Sequence, residues 1–138
     1  MASLIYNSCL YDESTGAIDF DTDTIKAMLV TSSYAPNKDT HLKRSDVTNE
    51  VTGTGYTAGG VAVTATVAKD TSLDRVIVTL GQISLPSSTI TARGCVYYKS
   101  RGGASSADEL IAYNDFGADI TTTSQTFFVA PSTITKQN

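Results

Sequence analysis

The sequence predicts an all-β protein: an antiparallel β-sandwich, jelly-roll-like, with about seven or eight short strands and little helix. Three observations carry this expectation. Short runs rich in Val, Ile, Thr and Tyr recur along the chain, separated by Gly, Pro, Asn and Ser. Several of these runs alternate with period two, the signature of a strand with one face buried. Hydrophobic residues make up 41% and charged residues 17%, a balance that folds and leaves few charges to place on a surface. A chain of 138 residues suits a single domain, 1–138, that buries roughly two thirds of its extended surface.

The clearest element is a β-hairpin over 92–117. Two runs of aromatic and aliphatic residues, 95–100 and 110–116, flank a small, polar stretch at 101–109. On the first run Cys95, Tyr97 and Lys99 share one face, and Val96 and Tyr98 the other. On the second, Leu110, Ala112 and Phe116 oppose Ile111 and Tyr113. Neither run has one clean apolar face, so both are expected mid-sheet, with aromatics covering the outer side or meeting a neighbouring subunit.

The other elements follow in chain order. Residues 1–6 read as an edge strand or flexible arm, and 7–16 as a polar loop. The nearly continuous apolar run at 24–31 is a central strand. Pro36 and Asn37 break the chain after it, and 41–51 is the one place for a short helix, weakened by its Thr and Val. Gly53, Gly55, Gly59 and Gly60 make 52–60 a flexible connection. Residues 61–67 alternate as one strand, 69–74 turn, and 75–80 return with Val76, Val78 and Leu80 inward. Pro86 marks 81–88 as a connection into the hairpin. Beyond the hairpin, 120–123 and 126–130 are strands, and 132–138 is a flexible C-terminal arm. The two arms are natural devices for reaching a neighbour.

Charge and motifs exclude several functions. Acidic residues outnumber basic ones by 14 to 10, a net charge of −4, which disfavours nucleic acid as a partner. No apolar run approaches the ~20 residues that span a bilayer. The first residues lack the basic and apolar regions of a secretory leader, so synthesis in the cytoplasm is expected. Cys9 and Cys95 lie far apart, without metal-type spacing, and are expected as reduced thiols.

Asp19, Asp21 and Asp23 would share a side on a strand, or wrap a hard cation such as calcium in a loop. The EF-hand pattern fails, because Thr24 and Val30 stand where it needs Gly and Glu. A solvated acidic edge is the plainer reading, with no metal or cofactor. His41, the one histidine, lies in a polar segment without a Cys partner or a zinc-binding His-Glu-x-x-His pattern. No catalytic residue is assigned, and the chain is read as non-enzymatic. Arg101, in the open Arg-Gly-Gly turn of the hairpin tip, is a candidate contact with another protein.

Three segments carry a resemblance to a known group: Ile-Asp-Phe-Asp-Thr-Asp-Thr-Ile-Lys-Ala-Met-Leu-Val-Thr-Ser-Ser-Tyr, Val-Thr-Asn-Glu-Val-Thr-Gly-Thr-Gly-Tyr-Thr-Ala-Gly-Gly and Ser-Arg-Gly-Gly-Ala-Ser-Ser-Ala-Asp-Glu-Leu. Over roughly residues 15 to 120 the chain resembles small virion structural proteins of tailed bacteriophages. The resemblance implies a non-enzymatic protein located in the virion. Its implied type is head decoration, or cement, which binds the major capsid protein on the outer shell and reinforces it. A neck, tail or fibre-base component and a carbohydrate-binding sandwich module are the alternatives. Without membrane or nucleic-acid attachment, contacts fall to protein surfaces, and a homo-oligomer, first a trimer, is expected. Tyr97, Tyr98, Tyr113 and Phe116 join Arg101 as interface candidates, since interfaces favour aromatic area.

Overall fold

Strand alternation sends side chains to both faces of the hairpin, and both faces turn out to be covered. The computed structural model describes residues 3–138, in which ten strands and one α-helix are present. The hairpin consists of β7 (Thr91–Lys99) and β8 (Leu110–Thr121). It is flanked by β1 (Leu4–Ile5) on one side and by β2 (Ile25–Val30), then β3 (Val61–Val63), on the other. All pairings in this five-stranded sheet, ordered β1-β8-β7-β2-β3, are antiparallel. A three-stranded sheet, β10 (Ser132–Gln137), β5 (Arg75–Leu80) and β4 (Ala65–Asp70), and a two-stranded one, β6 (Ile83–Ser88) with β9 (Gln125–Val129), form the opposing layer. Helix α1 spans Asn7–Ser14.

The main core lies between the layers. Ile25, Ala27, Leu29, Cys95, Tyr97 and Ile111 of the large sheet meet Val78, Leu80, Ile83, Phe127 and Ile134 of the smaller ones. The opposite face of the large sheet carries a second cluster of Tyr6, Met28, Val30, Tyr34, Val96, Tyr98, Leu110 and Tyr113. The alternating apolar residues of β2 thus divide between two cores, which explains its continuous apolar character. Tyr97 pairs with Ala112 and Tyr98 with Leu110, so Ile111 is an extra residue bulged out of register. Gly94 sits under the Tyr113 ring, where an added Cβ would lie 2.6 Å from Cε1.

Several sequence expectations are corrected by packing. Residues 7–16 contain a helix rather than only a loop, held by fully buried Cys9 instead of by propensity or a side-chain N-cap. The helix expected within 41–51 shrinks to one 3₁₀ turn, Arg44–Asp46, because the Asp46 carboxylate turns back to accept the Leu42 and Lys43 N–H groups. The 61–67 strand splits at Thr64: β3 pairs with β2, and β4 crosses to pair with β5 in the other layer. Within 81–88 the chain forms strand β6, Ile83–Ser88, with Pro86 at a register shift, where its missing N–H is tolerated. Residues 120 and 121 are the end of β8 rather than a separate strand.

Neither expected arm is free. Residues 132–137 pair along their whole length with β5, from Ser132 opposite Leu80 to Gln137 opposite Arg75. Leu4 and Ile5 pair with Tyr113 and Ala112, and Tyr6 is fully buried; Met1 and Ala2 lie outside the described residues. Both cysteines are buried and unbridged, and burial pushes the Cys95 thiol up to about 12.

Two outcomes follow from this packing. Gly94→Ala drives a methyl into a rigid ring and costs about 1–3 kcal/mol in urea denaturation. Cys9 and Cys95 stay unmodified by a water-soluble disulfide reagent in the native protein and titrate fully in denaturant; modification at equal rates in both states contradicts the packing.

Candidate docking surface

The structure assigns the interface candidates to different surroundings. Tyr97, Tyr98 and Tyr113 are buried, and their ring area is covered within the chain. The Tyr97 hydroxyl meets Ser132 Oγ at 3.0 Å, and the Tyr98 hydroxyl donates to the Gly59 carbonyl at 2.5 Å. The Arg44 guanidinium lies 5.1 Å from the Tyr98 ring centre, and Tyr113 packs edge-on against Tyr34. Burial holds the tyrosine hydroxyls above their ordinary pKa. Phe116 alone of the four aromatics is half exposed, packed at an angle on Phe127.

Arg101 is exposed, but its guanidinium is engaged. It donates from Nε and Nη2 to the two Glu109 carboxylate oxygens at 2.8 and 2.6 Å, a bidentate pair. Asp108 accepts the Arg101 N–H at 2.9 Å and Arg44 Nε at 2.8 Å. The hairpin tip is therefore tied down onto the Arg44–Asp46 turn. The Arg101 hydrogen bonds hold Glu109 below the usual carboxylate range.

Asp19, Asp21 and Asp23 lie on a turn, not on a strand. Asp23 Oδ2 accepts the Asp19 N–H at 2.7 Å and pairs with Lys99 Nζ at 3.0 Å, while Asp19 Oδ1 accepts the Asp21 N–H. Among the described residues no group of three or more His, Cys, Asp and Glu side chains is placed to hold a metal ion. His41 Nδ1 accepts the Asn37 N–H at 3.3 Å and meets the Tyr34 hydroxyl at 2.9 Å; Tyr34 in turn meets Tyr6 at 2.8 Å. Its ring closes the loop over the second core.

A pair of grooves lies open along one side of the sandwich. The first, about 570 Å³, runs between β1 and β10 over a floor of Leu80, Tyr97, Ala112 and Tyr113. The second, about 460 Å³, lies between β8 and β9 and is walled by Phe116, Ile120, Phe127, Phe128 and Pro131. Asn114 and Ser132 line both, so the two are continuous. Among the described residues, no charged side chain lines either groove. Other grooves do carry charge: Glu13, Asp19, Asp21 and Lys69 in one, Asp70, Asp74, Arg75 and Lys136 in another.

Ile5, Ile120 and Phe128 border this strip at 37, 42 and 55% exposure. Sequence reasoning missed all three. The adjacent pair Phe127-Phe128 was the available signal, since alternation must turn one ring outward. An uncharged, apolar, concave strip is the composition of an interface centre. Comparison with protein-family models, with curated proteins and with solved structures finds no match.

Two measurements probe this geometry. Phe128→Ser leaves the free energy of unfolding of the monomer within about 0.5 kcal/mol, whereas Phe127→Ala next to it costs about 3–5 kcal/mol. Equal effects at the two positions would contradict the assignment of faces. The lowered Glu109 pKa makes its stabilisation present above the ordinary Glu range and lost as pH falls through the folded value. Glu109→Gln therefore destabilises at neutral pH and flattens the loss of stability on acidification below about pH 4.3, read by thermal melts across pH.

Proposed function

We propose that this chain is a non-enzymatic structural component of a tailed-phage virion, most specifically a head-decoration protein that binds the outer shell and reinforces it. One observation carries the reading: an uncharged, mostly apolar strip lies open along one side of the sandwich, suited to protein contact. The aromatic, carboxylate and imidazole groups that sequence reasoning singled out are largely engaged within the fold. The resemblance over roughly residues 15 to 120 supplies the virion context and the major capsid protein as the partner. A carbohydrate-binding role would use surface tyrosines; Tyr97, Tyr98 and Tyr113 are buried, and Tyr11 is exposed.

Copy number in purified particles tests the proposal. Quantitative mass spectrometry against the major capsid protein should give hundreds of copies per particle. A dozen or so copies transfers the protein to the neck, tail or fibre base, and absence from washed particles refutes the virion reading altogether.

A further inference from the structure

We propose that the uncharged strip is where a second copy of this chain docks, the outward Phe128 ring of one copy seating in the β1/β10 groove of the next. The proposal deepens, and rests on, the reading of the chain as a self-associating structural protein. Three observations choose this occupant. The first is charge. Each copy carries −4, so two copies meet with least repulsion through an uncharged face, and among the described residues the strip is lined by no charged side chain.

The second is shape. A protruding ring, Phe128 at 55% exposure, stands beside an open apolar groove of about 570 Å³ on a continuous surface. A knob and a hole on one face are what repeated copies of a single chain can satisfy mutually, reciprocally in a dimer or in turn around a ring. The third is backbone. Strands β1 and β10, the groove's two walls, each lie at the edge of their sheet and pair on one side only. β10 carries a single charge, Lys136, which is paired with Glu13 rather than left to guard the edge. Asn114 and Ser132, hydrogen-bonded to each other at 3.4 Å, place polar groups where the two grooves meet and can fix the docking register.

The test is sedimentation equilibrium of the full chain from low to high micromolar concentration, with circular dichroism of every variant. The wild type should show an integral multiple of 14.6 kDa, and either a dimer or a trimer satisfies the ring-in-groove contact. Phe128→Lys and, independently, Ile5→Lys or Ile120→Lys should weaken association by roughly tenfold or more with native spectra. Leu73→Lys, an exposed apolar residue that lines neither groove, should leave it unchanged. A wild type that is monomeric throughout, or an oligomer that survives all folded strip variants, overturns the inference. Copy number in particles is read separately, so self-association through the strip in a protein absent from virions would refute the functional reading and leave this contact standing.

Discussion

Tyr97 and Tyr98 leave the same strand in opposite directions, and most of the molecule serves to cover them. Alternation along β7 allows nothing else. Each ring brings about 1.5–3 kcal/mol of favourable burial, but only if its hydroxyl finds a partner, since an orphaned buried hydroxyl costs about 1–3 kcal/mol. Ser132 of β10 meets the Tyr97 hydroxyl in one layer, and the Gly59 carbonyl accepts from Tyr98 in the other. A hairpin that buries both faces needs material on both sides. The smaller sheets supply one side, and the segment holding Tyr34 and His41, together with Tyr6, supplies the other.

The same demand explains why the hairpin tip is held by ions. Leu110 and Ile111 are buried directly after Asp108 and Glu109, so the two carboxylates are drawn below the surface, at 1 and 3% exposure. An unpaired buried carboxylate is costly, and removing one partner of such a pair typically loses 3–5 kcal/mol. Arg44 and Arg101 therefore act as obligatory partners, and Arg44 comes from 64 residues earlier in the chain. These pairs fix where the 3₁₀ turn and the hairpin tip sit relative to each other.

How much of this was legible in the sequence depended on whether the signal was local. The hairpin, the β2 run and the inward side of β5 rest on period-two alternation, and each was readable from neighbours a few residues apart. Strand β10 was not. Its sequence, Ser-Thr-Ile-Thr-Lys-Gln, has one large apolar residue, Ile134, and gains its order from β5, more than fifty residues earlier. Helix α1 is likewise a product of where Cys9 is buried rather than of helix-forming residues. The tyrosines were recognisable as important aromatics, but the sequence cannot distinguish a ring that covers its own sheet from one that meets a neighbour. That choice is made by the loops folded over them.

The uncharged strip follows from the same geometry. The layers are joined through Tyr97 reaching Ser132, yet β1 and β10 remain sheet edges with a groove between them. A charge on that groove's walls would sit close to Tyr97 and Tyr113 and lose part of its hydration, a cost the Leu, Ala, Thr and Ser residues there avoid. Uncharged walls are thus favoured by the core beneath them, whatever lies outside. The outward Ile5, Ile120 and Phe128 have no such internal reason, because each is substantially exposed. A contact of standard size takes about 800 Å² from each partner, roughly a ninth of the chain's 7074 Å² accessible surface. The core beneath accounts for the absence of charge in the groove, while the exposed parts of Ile5, Ile120 and Phe128 lie outside what that core requires.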